Sequence, residues 1–443
     1  MRPLLRIVFA TCSAFAVVGL LTLISPAGVQ AADITVTTTL DSLDVDGECS
    51  LREAVIAANT NAAVDGCVAG ELESDQIRLT PGETYRLSIP GRDEDAAMTG
   101  DLDITQGVNI WGGVIDAGGV DRAFDVFTGA GFGLRTEVFN GDAGAGDGGA
   151  VRMQNDCGAG QRRMSTGGLI RDNVAANGGA IAAIGCVTTD VEHATFMNNA
   201  ATGDGGALWL DQGALSNVVT ATFTGNTAAG SGGAVWATSD AFGYQLAAVT
   251  VADNEATDAG GIGMEAGSGA IDLIDVLLAR NAGGNCDIAV PVDGQNNLSD
   301  DDSCGDLGTD SITGVDAMLE PLDDTWGPPS YGIASGSPAI DAGLAISFET
   351  SEMFDQRSTL RPQDGDGDGV AIFDIGAVEA VSLEPEEPGT GGVPSPSPEL
   401  PNTALDGGSG SERSPFGLLT VLAVLASMPA ATARIGLARL SSR

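Results

Sequence analysis

From about residue 137 to 281, short runs of alternating apolar and polar residues recur at a steady interval, separated by Gly- and Asn-rich breaks. Gly pairs stand at Gly148-Gly149, Gly178-Gly179, Gly205-Gly206, Gly232-Gly233 and Gly260-Gly261. Asparagines keep the same beat at Asn173, Asn199, Asn226, Asn254 and Asn281, each three places after an apolar residue: Ile170, Phe196, Phe223, Val251 and Leu278. Residues 191–196 and 218–223 alternate β-branched, aromatic and polar side chains, which reads as strand. A period of about 27 residues holding two or three short strands is one coil of a solenoid. The fold expected is therefore all-β, a right-handed parallel β-helix. Coils stack about 4.8 Å apart, so equivalent residues form ladders, Phe196 over Phe223 among them. In this frame each Gly pair supplies turns with positive φ, and the stacked Asn adopts the left-handed conformation. The earliest copy reads as Asn140, with Glu137 in the apolar slot.

The helical period appears once before the tail. After a first strand at residues 34–39, Ser50 and Glu53 have capping-box spacing, and Leu51, Ala54, Val55 and Ala58 share one apolar face. A short helix is predicted there, suited to plugging the open N-terminal end of the solenoid. The organisation that follows is a leader at 1–31, a first strand and capping helix at 32–70, the β-helix at 71–310 and a C-terminal cap at 311–380. Beyond these come a Pro/Gly-rich linker at 381–415, expected to be disordered, and an apolar helix with a positive end at 416–443.

Composition narrows the function. The net charge is −42 over 443 residues, and all 19 basic residues are Arg. Phosphate neutralisation needs a basic surface, so a nucleic-acid partner is excluded. At the N-terminus, Arg2 and Arg6 precede an apolar run, and Val29-Gln30-Ala31 is a small-residue cleavage site that would leave Ala32 as the first mature residue. Cys12 departs with that leader. Cys49, Cys67, Cys157, Cys186, Cys286 and Cys304 remain, and an even number in an exported chain favours disulfides. Among the fifteen pairings open to six cysteines, joining sequence neighbours is the expectation.

Two resemblances follow from these motifs. Phe196-Met197-Asn198-Asn199 with Gly205-Gly206-Ala207-Leu208, and Phe223-Thr224-Gly225-Asn226 with Gly232-Gly233-Ala234-Val235, resemble the repeats of the polymorphic outer-membrane-protein family, which implies a parallel β-helix passenger. The stretch from Cys49-Ser50-Leu51-Arg52-Glu53-Ala54 resembles the motif that opens the CSLREA and choice-of-anchor Q type of exported bacterial β-helix proteins. Further motifs of that type are Gly100-Asp101-Leu102-Asp103-Ile104, Gly284-Asn285-Cys286, Asn297-Leu298-Ser299-Asp300 before Cys304, Ser337-Pro338-Ala339-Ile340-Asp341-Ala342-Gly343, and Asp374-Ile375-Gly376-Ala377-Val378-Glu379. This resemblance implies a surface-associated protein and no established catalytic residues. In the tail, Leu400-Pro401-Asn402-Thr403-Ala404 before the apolar stretch resembles a sortase sorting signal, with Ala404 where that signal has Gly. It implies a sortase-like transpeptidase attacking the Thr403 carbonyl, with the apolar helix holding the chain in the membrane before or instead of wall linkage.

Candidate chemistry is sparse. Trp209 and Trp236 occupy an outward column on neighbouring coils and would form an aromatic face for a glycan or a surface protein, unless a loop covers them. Asp364, Asp366 and Asp368 alternate with glycines, as in a calcium loop, although Ile375 stands where that motif needs Glu; an acidic turn is the other reading. His193, the only His, is expected to be solvated. Arg152, Arg162, Arg163 and Arg171 cluster and are expected to pair with nearby acids. The function expected is a surface-displayed, non-enzymatic β-helix for adhesion, envelope structure or ligand contact; the alternative is a polysaccharide lyase or hydrolase on the same scaffold.

Overall fold

The computed structural model describes residues 31–381, apart from 73, 93, 268 and 345–353. The leader before Ala31, the linker from residue 382, the sorting-like motif at 400–404 and the apolar stretch at 416–433 lie outside the described residues. The rest winds as a parallel β-helix. Long strands, including Val187–Met197, Leu215–Thr224, Gly243–Ala252 and Ala270–Ala279, form a 13-stranded sheet. Short strands such as Ile181–Gly185, Leu208–Asp211 and Val235–Ala237 form an eight-stranded sheet, one strand per coil. A four-stranded sheet runs along the corner between them. Neighbouring strands come from successive coils and pair in parallel, because the remainder of each coil serves as the crossover that a parallel pair requires.

Side-chain ladders hold the stack. Val138, Ile170, Phe196, Phe223, Val251 and Leu278 lie in one register column through the core. The rings of Phe196 and Phe223 are 4.7 Å apart and within 5° of parallel. Beside this column runs an amide ladder. Asn173 Nδ2 donates to Asn199 Oδ1, Asn199 to Asn226, Asn226 to Asn254 and Asn254 to Asn281, all at 2.8–3.0 Å. Asn281 passes the chain to Asn285, where it ends on Ser299 and Asp300.

Three details of the repeat differ from expectation. The left-handed residue is not the ladder Asn but the one before it: Asp172, Asn198, Gly225, Asp253 and Arg280 have φ between 56° and 65°. That corner turns the chain so that the next amide points inward. The earliest copy sits one residue later than Asn140 implied, since Val138, not Glu137, pairs with Ile170, and Gly141 takes the ladder position by donating to Asn173 Oδ1. Lastly, Gly260-Gly261 is displaced by one residue. Ala259 (φ 53°) is the counterpart of Gly232 (φ 68°), whose following residue, Gly233, donates to the Ala259 carbonyl. The second glycine of each pair is needed for a different reason, close approach between coils: a Cβ at Gly206 would lie 2.1 Å from the Gly233 carbonyl oxygen.

At the N-terminal end, the helix Leu51–Thr60 carries both capping-box bonds and buries Leu51, Ala54, Val55 and Ala58. Its Arg52 is fully buried as well, bonded to Asp41 and to the carbonyls of Ala97, Gly100 and Asp101. The cysteines pair as sequence neighbours, Cys49 with Cys67, Cys157 with Cys186 and Cys286 with Cys304, with Cα separations of 4.8, 4.8 and 4.7 Å.

Beyond the last coil the chain turns back. The antiparallel pair Leu319–Asp323 and Ser330–Ile333 and the segment 354–380 lie on the outer face of the long-strand sheet. They reach back to the coil of Thr195, whose hydroxyl donates to the Pro329 carbonyl. Gln356 bridges Thr195 and Thr222, and the Ala377 amide donates to Thr250. A second core forms in this layer from Leu277, Leu298, Ala317, Tyr331, Ile333, Ala339 and Ile375.

Candidate functional site

The outward column of the short-strand sheet runs in register through Asp103, Asp125, Arg152, Ala182, Trp209, Trp236, Gly263 and Asp287. Trp209 and Trp236 are paired across adjacent strands, as alternation predicts. They are not equally open. Trp209 is half-buried, whereas Trp236 is only 5 % exposed. Its indole lies across Gly263, where a Cβ would come within 2.3 Å of the ring, and its Nε1 has no hydrogen-bond partner. The flat double-indole face therefore reduces to the edge offered by Trp209.

At the N-terminal end of this column the side chains become ionic. Asp101, Asp103 and Asp125 present carboxylate oxygens within 4.8 Å of one another. Arg122 Nη1 bridges Asp101 and Asp125 at 3.0 and 3.4 Å, and Arg152 also pairs with Asp125. Burial, followed by the neighbouring carboxylates, pushes Asp101 up to about 7; burial likewise pushes Asp103 up to about 8. These ion pairs tie the first coils to one another, and Arg52 of the capping helix joins them by donating to the Asp101 carbonyl. The arginine cluster behaves in the same way: Arg163 pairs with Asp190, and Arg171 with Glu137 and Asp172. Arg162, by contrast, buries an Nε that lacks a partner.

The acidic turn brings Asp364 and Asp366 together with Asp341, a residue the spacing alone did not single out; Asp368 is not part of that trio. Such a trio could hold a hard cation such as calcium. Its oxygens are already engaged with backbone amides: Asp364 accepts from Gly367 and Gly369, and Asp341 from Asp366 and Ile372.

His193 departs from the solvated residue expected. It is half-buried beneath the returning segment, in a left-handed slot (φ 50°) shared by Thr220, Ala248 and Asp275. Desolvation lowers its pKa, against a bond with the Phe354 backbone and the charge of Glu192. Three coils further along, Asp275 is fully buried; its Oδ1 accepts from the Leu344 amide and its Oδ2 has no partner among the described residues. Burial pushes Asp275 up to about 7, Glu379 to about 7 and Asp374 to about 6, around the single guanidinium of Arg361.

A pH prediction follows. The folded pKa of Asp275 stands above that of an unfolded Asp, so its share of stability is whole below about pH 4 and is lost as pH rises through 7. Asn retains an acceptor for Leu344 and tolerates positive φ. Asp275→Asn should therefore raise stability at pH 8 by about 2 kcal/mol and flatten the decline between pH 5 and 8, read by urea unfolding at both pH values.

Sequence reasoning missed the cavity of about 830 Å³ in the returning layer, lined by Glu320, Trp326, Ile333, Arg357, Thr359 and Asp366 among others. Trp326 is 67 % exposed. Arg357 is held by the hydroxyl and carbonyl of Ser330 and makes no ion pair among the described residues. The available signal was an aromatic in the polar loop Asp323-Asp324-Thr325-Trp326-Gly327.

Among known proteins, residues 220–238 match the Chlamydia polymorphic membrane protein repeat. The matched stretch holds Phe223, the ladder residue Asn226 and the turn Gly232-Gly233-Ala234-Val235. No curated protein and no solved structure matches the chain. What these comparisons and the ladders together support is a β-solenoid of repeats similar to that membrane-protein repeat.

Proposed function

We propose that this chain is an exported β-helix protein displayed at or beyond the cell surface, where it binds a glycan or a surface protein without transforming it. The observation that carries the reading is the scaffold: stacked coils built on a repeat like that of a membrane-protein family and stapled by three disulfides. Disulfides belong to oxidising compartments, and a rigid solenoid presents side chains at fixed spacing. The resemblance to the CSLREA and choice-of-anchor Q type supports the same reading, since its motifs lie at the joints of the fold. Arg52 locks the capping helix, Asn285 ends the amide ladder, and Gly376 and Ala377 dock the returning layer on the long-strand sheet. Retention would come from a sortase-like transpeptidase acting at Thr403, or from the apolar C-terminal stretch in the membrane.

Ligand contact is assigned to Trp209 and to the cavity of Trp326 and Arg357, which pairs an open indole with a guanidinium that makes no ion pair among the described residues. An aromatic platform beside a guanidinium suits a sugar ring bearing a carboxylate. The test is a glycan panel titrated against the chain, Trp209→Ala and Trp326→Ala. One of the two variants is expected to bind about tenfold more weakly, and unchanged affinity in both removes the assignment. A carbohydrate-active enzyme is the second reading, favoured by the carboxyl groups of Glu320, Asp366 and Glu379 around the same cavity. Release of reducing ends from any polysaccharide in the panel would put that reading first.

A further inference from the structure

Asp75 is a fully buried carboxylate with no cation acting on it among the described residues. It opens the strand Asp75–Arg78, which lies between the first strand, Asp33–Thr35, and the strand Val108–Asp116. Its Oδ1 accepts from the Ala32 amide at 2.9 Å and the Glu71 amide at 3.1 Å, and its Oδ2 from Glu71 at 3.2 Å. The charged groups around it offer no relief. Glu71 adds negative charge, and Asp33 and Arg78 on the same two strands pair with each other. A carboxylate buried in this way is costly unless a positive charge meets it.

The missing charge is one bond away. Ala32 is the residue that cleavage after Val29-Gln30-Ala31 would leave first. A peptidase that accepts small residues would add one water across the Ala31–Ala32 amide. The Ala31 carbonyl carbon then becomes a carboxylate and departs with the leader, and the Ala32 nitrogen becomes an ammonium. Ala31 is exposed, while Ala32 is held in the ladder by the Gln76 amide, which donates to its carbonyl at 2.8 Å. We propose that Asp75 is the built-in counter-ion of the Ala32 α-ammonium, so that removal of the leader completes the first coil. The nitrogen already sits at bonding distance, and converting its amide to an ammonium turns a neutral donor into a charge-assisted one. The cut itself rests on the export reading above.

Three forms of the chain test this: residues 32–443 with a free Ala32 amine, the same chain N-acetylated, and the chain one residue longer, starting at Ala31. At pH 6 the acetylated and lengthened forms are each expected to show an unfolding constant at least about tenfold larger than the free form. The ammonium's contribution is whole below the α-amino pKa of about 8 and is lost as pH rises through its raised folded value, so the gap should close by about pH 10. In Asp75→Asn the gap should be absent at both pH values. Equal stability of the three forms at pH 6, or an undiminished gap in Asp75→Asn, overturns the pairing; if Asp75→Asn fails to fold, the free and acetylated forms at the two pH values decide alone. N-terminal sequencing of the protein from envelope fractions tests export separately. A start other than Ala32 overturns the maturation role, and an intact leader overturns the export reading as well.

Discussion

Replacing Asn226 with leucine is expected to destabilise the β-helix by about 3–5 kcal/mol, although the side-chain volume changes little. Asn226 Oδ1 accepts from the backbone and side-chain nitrogens of Asn199 at 3.0 and 2.9 Å, and its Nδ2 donates to the Phe196 carbonyl and Asn254 Oδ1 at 2.9 and 2.8 Å. The substitution leaves two donors of Asn199 buried and unpaired, at about 1–3 kcal/mol each, and strips a bond from Phe196. Leucine cannot replace these with contacts, because the groups it faces are polar. Asn217→Leu is the control: Asn217 is half-buried and donates one bond to Asp190, so its effect should stay within about 1 kcal/mol. Urea unfolding of both variants reads the difference, and equal effects would show that the ladder contributes no more than one surface hydrogen bond.

Arg52→Ala should be comparably damaging, for an electrostatic reason. The guanidinium is fully buried and bidentate to Asp41, with Nε to Oδ1 at 2.6 Å and Nη2 to Oδ2 at 3.2 Å. Its remaining donors satisfy the carbonyls of Ala97, Gly100 and Asp101. Burial alone would raise the Asp41 carboxyl; the bond from Arg52, with those from the Ser88 and Ile89 amides, holds it below the ordinary value. Removing the arginine strands a buried carboxylate and three carbonyls, at about 3–5 kcal/mol. Arg52→Lys should recover little, since one ammonium cannot span acceptors arranged for a planar fork. Thermal unfolding gives the total. Hydrogen exchange gives the place, with loss of protection expected to centre on residues 88–103 and the capping helix and to leave the Phe196 and Phe223 coils protected.

How far the fold was legible depended on whether the deciding contact recurred along the chain. The Phe column and the Asn ladder repeat about every 27 residues, so a period count finds them. The capping box is local, and so is legible for the same reason. Errors arose where a single residue set the frame: Asn140 and Gly260 match the repeat by type, yet Gly141 and Ala259 hold the equivalent positions. The returning layer was missed as a lateral cover, though a trace of it was present. Leu277-Leu278-Ala279 is continuously apolar where a half-solvated strand would alternate, the mark of burial on both faces.

The candidate site was less legible. Alternation placed Trp209 and Trp236 on one outward column, but it could not foresee that Gly263, in the next coil, would open a bed for one of the indoles. The partners of Asp75, Asp275 and Arg357 come from distant segments and leave no periodic trace.

By itself the sequence determined the winding, the ladders and the helical plug, because each follows from residues close in sequence or repeated along it, whereas the cysteine partners, expected to be sequence neighbours, were settled by the fold. Only the tertiary structure decided which polar groups are buried, which aromatic stays open and where the C-terminal layer lies. Those outcomes depend on which surfaces meet once the coils are stacked, and desolvation acts on a group only after such a surface has covered it.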